Sequence, residues 1–213
     1  MRDNPRLPLV SAALGLVLLG GVVGFAVVLP DLVDEPQATS AESGASDLGP
    51  IELPDELPGG FVAVDLGTLP EEVTGAGFDV QDVVTQQDSI DEGLEKTFGV
   101  PGKIRYYAAE DGSSGASITA LDKAPGLFLV NAVPVDPAVV GLERLPSELV
   151  NVDGAVCEVA WGQPVAEGQP VDPTQTPGAV RCQIGEGERT YEVTGQGITL
   201  DATVAIAKSL VSS

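Results

Sequence analysis

The chain has 213 residues, with 10 lysines and arginines against 32 aspartates and glutamates, a net charge of −22, and no histidine. The lack of imidazole excludes Ser-His-Asp and Cys-His catalysis and every histidine-ligated zinc or haem site. So acidic a surface repels a phosphate backbone, which sets nucleic acid aside as a partner.

From Leu7 to Pro30 no residue is charged. A helix needs about 20 apolar residues to cross a bilayer core, so this run is long enough to span. It also exceeds the roughly 7–15 apolar residues of a secretory signal. Arg2 and Arg6 precede it, whereas Asp31, Asp34 and Glu35 follow. Positive residues resist translocation, so residues 1–6 are expected as a cytoplasmic tail, 7–30 as a transmembrane signal-anchor, and the remainder outside the cell. The membrane is then a partner through this helix. The rival reading is a cleaved signal peptide, with small-x-small candidates at Gly24-Phe25-Ala26 and Ala38-Thr39-Ser40. Gly20 and Gly24 could let two such helices approach, or are simply the glycines common in membrane helices.

Residues 31–58 read as an acidic, Pro-rich stalk. They hold eight acidic residues, no basic one, and Pro36, Pro50, Pro54 and Pro58. Such a composition offers little apolar surface to offset the entropy of ordering, so this segment is expected to be disordered. Residues 59–213 are then one extracytoplasmic domain of ordinary size. The sequence Leu-Pro-x-Glu-[Leu/Val] begins at Leu53, Leu69 and Leu145. Its unequal spacing argues for turns or helix starts rather than a structural repeat.

Within the domain, Phe61–Leu66 alternates as a first strand. Asp79 can cap a helix running to about Phe98, with Val80, Val83, Ile90, Leu94 and Phe98 along one side and Gly99 and Pro101 as stop signals. Strands are expected at Lys103–Ala108 and Ala116–Leu121 around a turn-rich Glu110–Gly115, and again at Phe128–Val133. Asp153-Gly154 is a two-residue hairpin signal, pairing Val152 with Ala155 and Val150 with Cys157. One face then carries Val150, Val152, Ala155, Cys157, Val159 and Trp161, while Asn151 and Glu158 face the other way. A second hairpin around Glu186-Gly187 would pair Cys182 with Tyr191 and Val180 with Val193, setting Arg181 opposite Glu192. Thr199 caps a final amphipathic helix with Leu200, Val204, Ala207 and Val211 at helical spacing. The fold class is therefore α+β, a mainly antiparallel sheet packed by about two helices.

Both hairpins place their cysteine on the buried face. Exported chains with two cysteines usually pair them, so a Cys157–Cys182 disulfide is expected; buried free thiols or a redox pair are the alternatives, and there is no Cys-x-x-Cys. Its bridge would frame the Pro- and Gly-rich stretch Gly162–Gly178, either a presented binding loop or a long crossover.

No catalytic residue, metal site or cofactor is assigned. No Walker A or Gly-x-Gly-x-x-Gly sequence opens a predicted helix. Asp88, Asp91 and Glu92 come nearest to a cation cluster, but their spacing does not match an EF-hand loop and they read as a solvated helix face. Tyr106, Tyr107 and Trp161 could form a sugar platform or belong to the core.

The stretches Ile104-Arg105-Tyr106-Tyr107, Val152-Asp153-Gly154-Ala155-Val156-Cys157 and Val180-Arg181-Cys182-Gln183, with the strand–helix unit from Tyr191 to Leu210, resemble single-pass, membrane-anchored extracytoplasmic proteins of high-GC Gram-positive bacteria that have no assigned activity. The resemblance implies an envelope location and carries over no functional residue. The expected function is an accessory or protein-binding domain of the envelope, with another envelope protein as partner. The alternative is a small-molecule or wall-polymer binding domain with a deep apolar pocket between sheet and helices, and a third reading is a carboxylate-based hydrolase.

Overall fold

Short turns join most neighbouring strands, so the sheet grows largely by local antiparallel pairing. The computed structural model describes residues 48–211 except 127, 129–131 and 133. The expected cytoplasmic tail, the transmembrane helix and the stalk up to residue 47 lie outside the described residues, as does most of the strand expected at Phe128–Val133. Among the described residues no helix is long and apolar enough to cross a membrane.

In chain order the elements are β1 (Glu56–Leu57), β2 (Phe61–Ala63), α1 (Glu71–Thr74), α2 (Val80–Phe98), β3 (Gly102–Ala109), β4 (Gly115–Leu121), β5 (Leu142–Arg144), β6 (Ser147–Val152), β7 (Ala155–Ala160), β8 (Val165–Ala166), β9 (Ala179–Glu186), β10 (Arg189–Gln196) and α3 (Leu200–Val211). Eight strands form one antiparallel sheet in the order β1-β2-β3-β4-β10-β9-β7-β6, and β5 pairs with β8 in a separate two-stranded sheet. The α+β reading holds, with two long helices and a single-turn α1 beside the sheet.

One face of the sheet is the core. A row of directly opposed residues runs Arg105–Ile118–Val193–Cys182–Cys157–Val150 across six strands. Ile118, Val193 and both cysteines are fully buried. Against this face α3 lays Val204, Ile206, Ala207 and Leu210, all buried, and each large aliphatic contributes about 1.5–3 kcal/mol by leaving water. Thr199 starts α3 as expected, its Oγ1 accepting from Ala202 N at 3.3 Å.

Asp153 and Gly154 have φ of 52° and 88°, and the expected pairs Val152–Ala155 and Val150–Cys157 form. The second hairpin differs. Its turn is Gly187-Glu188, so Cys182 pairs with Val193, Tyr191 with Ile184, and Val180 with Gly195. A turn centred on Glu186-Gly187 would put glutamate where positive φ suits glycine; the shifted turn puts Gly187 there, at φ 58°. A two-residue slip preserves the faces, so Cys182 stays buried. Arg181 still reaches Glu192, diagonally rather than directly, at 2.8 Å. Cys157 and Cys182 are thus direct neighbours on adjacent strands, their Cα atoms 4.0 Å apart, and they form the expected disulfide.

The first strand also stops early. β2 ends at Ala63, and Val64–Leu66 is a 3-10 turn closed by Gly67 in the left-handed region. Of the three Leu-Pro-x-Glu sequences, the one at Leu69 starts helix α1, whereas those at Leu53 and Leu145 lead into strands β1 and β6. The expectation of a disordered stalk as far as Pro58 is overturned at its end. Leu53 and Leu57 are buried with the core and Ile51 packs on it. The backbone polar groups of this segment are met by arginines. Arg105 donates from Nη1 to the Leu53 and Pro54 carbonyls at 2.7 and 3.0 Å. Its Nε bridges both oxygens of Asp65 at 3.0 and 3.1 Å, and Nη2 lies 2.8 Å from Asp55. Tyr107, buried beside it, donates to the Pro54 carbonyl at 2.9 Å. Burial pushes this phenol well above the ordinary tyrosine range, so it remains a donor. Arg189 binds Asp122 at 2.7 Å and the Gly49 carbonyl at 2.9 Å.

Helix α2 is capped by Asp79, whose carboxylate accepts from Gln81 N at 2.8 Å, and ends at Gly99. Val80, Val83, Ile90 and Leu94 of the expected apolar stripe are half-buried, but its end and its most buried residue differ. Phe98 is 48% exposed, and the residue it buries is Gln87. The cause is the edge of β3, which β2 covers only from Tyr107 to Ala109. There Asp91 accepts from Ile104 N at 2.7 Å and Gln87 from Tyr106 N at 3.3 Å. Side-chain oxygens of α2 thereby replace a neighbouring strand.

The opposite face is more polar, and Lys123, Pro125, Phe128 and Ala132 from the stretch between β4 and β5 lie against it. The Lys123 carbonyl accepts from Thr190 Oγ1 at 2.7 Å, and the Glu158 carboxylate accepts from Ala132 N at 3.2 Å. Between them Pro125 sits so close on Gly185 that a Cβ there would come within 2.5 Å of it. The Arg181 guanidinium lies 5.3 Å from the Phe128 ring centre.

Replacing both cysteines by alanine is expected to cost about 3 kcal/mol of stability, from the freedom regained by the unfolded chain; urea titration of oxidised wild type against the variant measures it. Arg105→Ala strands Asp65 and the Leu53 and Pro54 carbonyls, and is expected to cost about 3 kcal/mol. Hydrogen exchange should then accelerate first in residues 53–63, and unchanged protection there would refute the clamp.

Candidate functional site

Two places combine exposed polar backbone or buried charge in ways the core does not need. The first is the outer edge of the sheet. A two-residue turn closes on a pair that exchanges both hydrogen bonds. Val152, Val150 and Glu148 therefore bond inward to β7. The N–H and C=O groups of Asn151, Leu149 and Ser147 point outward. β6 ends the sheet, and among the described residues no hydrogen bond reaches those outward groups. The opposite end of the sheet, by contrast, is the two-residue β1, and the open stretch of β3 is met by α2.

The second place lies under the 162–178 stretch. This is a crossover that includes β8, not a bare loop; β8 pairs with β5. That pairing brings Arg144, at the end of β5, beside Trp161, just after β7. The Arg144 guanidinium stacks on the Trp161 ring at 4.2 Å. Trp161 Nε1 donates to Glu148 at 2.6 Å, which fixes the ring. Arg144 Nη2 donates to Gln175 Oε1 at 2.8 Å. Arg144 is 6% exposed, and among the described residues its Nε has no partner.

The residues singled out as a cation cluster lie along a cleft of about 340 Å³ lined by Asp88, Asp91, Glu92, Glu95, Pro101 and Gly102. Among the described residues no group of three acidic or sulfur ligands is arranged to hold a metal ion. Asp91 is occupied structurally on Ile104 N. Burial raises its pKa above 3.8, opposed by that backbone bond and by Lys103. A second groove of about 440 Å³ is bordered by Glu56, Val62, Leu66, Thr68, Leu69, Pro70 and Glu110. Neither cleft is the apolar pocket expected between sheet and helix. The space under α3 is filled by its own buried side chains.

Tyr106, Tyr107 and Trp161 form no common platform. Tyr106 and Tyr107 alternate on β3, and β4, β10 and β9 separate that strand from β7, which leads into Trp161. Sequence reasoning reached Cys157, Cys182 and Trp161 but missed Arg144, because a lone arginine carries no periodic signal of burial. No family model, curated protein or solved structure matches this chain.

Asp91→Asn keeps an acceptor for Ile104 N and removes the charge. An acid whose folded pKa is raised adds stability below its unfolded pKa and loses it as pH rises through the folded one. The variant is therefore expected to gain stability relative to wild type at pH 7, and the gain should shrink as pH falls toward 3.8. Urea midpoints for both proteins across that range measure the difference.

Proposed function

We propose that this chain is a membrane-anchored, extracytoplasmic accessory domain of the bacterial envelope that binds another protein. The observation that carries the reading is the outer edge of β6, which no hydrogen bond reaches among the described residues. Outward N–H and C=O groups at Ser147, Leu149 and Asn151 offer a partner segment the main-chain hydrogen bonds that strand addition uses. The charge-free run from Leu7 to Pro30, with Arg2 and Arg6 before it, supports the anchor and its orientation. The Cys157–Cys182 bond suits an oxidising compartment outside the cytoplasm. Beyond the anchor 8 basic and 31 acidic residues remain, which favours a partner with a basic segment.

A photo-crosslinking residue at position 151, in full-length protein in intact cells, is expected to give a discrete crosslinked species. The same probe at Glu92, on the exposed side of α2, should give none. Asn151→Pro removes an outward N–H without touching the bonds to β7. It should abolish capture by a probe at position 149 while leaving the urea midpoint near wild type. Only uncrosslinked monomer at both 149 and 151 would refute the proposal.

A further inference from the structure

Four arginines fall among the described residues, and they are not treated alike. Arg105, Arg181 and Arg189 each meet a carboxylate at 2.7 to 3.0 Å. Arg144, the most buried of the four, meets none among the described residues. Its charge is set against a neutral amide oxygen and an aromatic face. A buried charge without a countercharge in contact destabilises a fold unless something compensates it.

The missing contact has a definite shape. On a guanidinium, Nε–H and Nη2–H point the same way and form the side-on edge that a carboxylate fills with two parallel hydrogen bonds. Gln175 Oε1 takes the Nη2 half of that edge at 2.8 Å. The Nε half is empty and out of contact with solvent. The site is therefore cut for two oxygens and holds one.

Two nearby carboxylates hold other donors, and Asp172 attracts Arg144 through space without touching it. Glu148 holds Trp161 Nε1. Asp172, on the covering stretch, accepts from Thr174 N at 2.8 Å and Thr174 Oγ1 at 2.7 Å. The cover itself is thin. Every residue from Ala166 to Thr176 is exposed, so the Gln175 amide can swing aside without dismantling any core.

We propose that Arg144 and Trp161 form a receptor for a carboxylate group, which displaces the Gln175 side chain and takes the Nε–Nη2 edge while the indole stacks beneath the guanidinium. The carboxylate belongs to a small organic acid or to the free C-terminus of a peptide. The inference rests on the geometry around Arg144 and is independent of the partner proposed for β6.

Trp161 is the only tryptophan in the chain, so its emission reports on this site. Full-length protein is titrated with sodium acetate, with an acetylated tripeptide bearing a free C-terminus, and with the same peptide amidated, all at ionic strength held constant with sodium chloride. A saturable change is expected with acetate or the free-acid peptide and not with the amide. Tighter binding of acetate identifies a small acid as the ligand class, and tighter binding of the peptide identifies a chain end. Gln175→Glu places a carboxylate on the same edge from within, and should weaken added carboxylate by about tenfold or more while keeping the thermal midpoint at or above wild type. Arg144→Lys keeps the charge but lacks the two-bond edge, and should abolish saturation. Equal, non-saturating responses to acetate, amide and chloride would overturn the proposal, as would undiminished binding by Gln175→Glu.

Discussion

Register across one row of the sheet is the constraint on which the remaining structure depends. Ile118, Val193, Cys182 and Cys157 stand side by side under α3, and Arg105 and Val150 flank them. Because side chains alternate with a period of two, a one-residue slip of β10, β9 or β7 could carry Glu192, Arg181 or Glu158 into that space. The disulfide fixes β7 against β9 at the row's centre. Arg105, at its other side, is anchored by Asp65, Asp55 and two carbonyls. Between these two fixed points lie Ile118 and Val193, and the observed register keeps Glu192 on the outer face. The segment before β1 joins the fold for the same reason, since the arginine that ends the row needs the carbonyls this segment supplies.

What the sequence revealed and what it hid divides along physical lines. Local backbone requirements were legible: Asp79 as a cap, Gly99 as a stop, Asp153-Gly154 as a turn, and Thr199 at the start of α3. Alternation was legible too, so both cysteines were assigned to one face and to one bond. The second turn was misplaced by one position, because Glu186-Gly187 and Gly187-Glu188 both contain the needed glycine, and only the latter puts it first. Buried cations were invisible, because Arg105 and Arg144 are buried by partners distant in sequence. The ordered stretch from Leu48 was hidden for the same reason: its composition is that of a tether, and its order comes from Arg189 and Arg105. The candidate sites follow this pattern. Trp161 could be placed on a strand's face, whereas its stacking on Arg144 depends on the pairing of β5 with β8, two short strands with little sequence signature.

The three exposed margins of the sheet are handled differently. β1 is short. The open stretch of β3 is met by the oxygens of Asp91 and Gln87, which keeps an acid partly out of water. Among the described residues, β6 receives neither treatment. It is six residues long, carries no lysine or proline, and ends in a tight turn that fixes which of its groups face outward. An edge that no described residue covers, and that is longer than β1, is where strand addition meets the least resistance.

The topology also divides the folding problem. β1 to β4 form one antiparallel meander, and β6, β7, β9 and β10 another; their strands pair with each other only at β4 and β10 among the described residues. Thr190 and Leu121, partners across that seam, are far apart in sequence, so loop-closure entropy is concentrated there rather than spread over the sheet. The disulfide lies wholly within the second meander. Oxidation can therefore lock the C-terminal half before the seam closes, and it leaves the docking of the N-terminal half to non-covalent contacts alone.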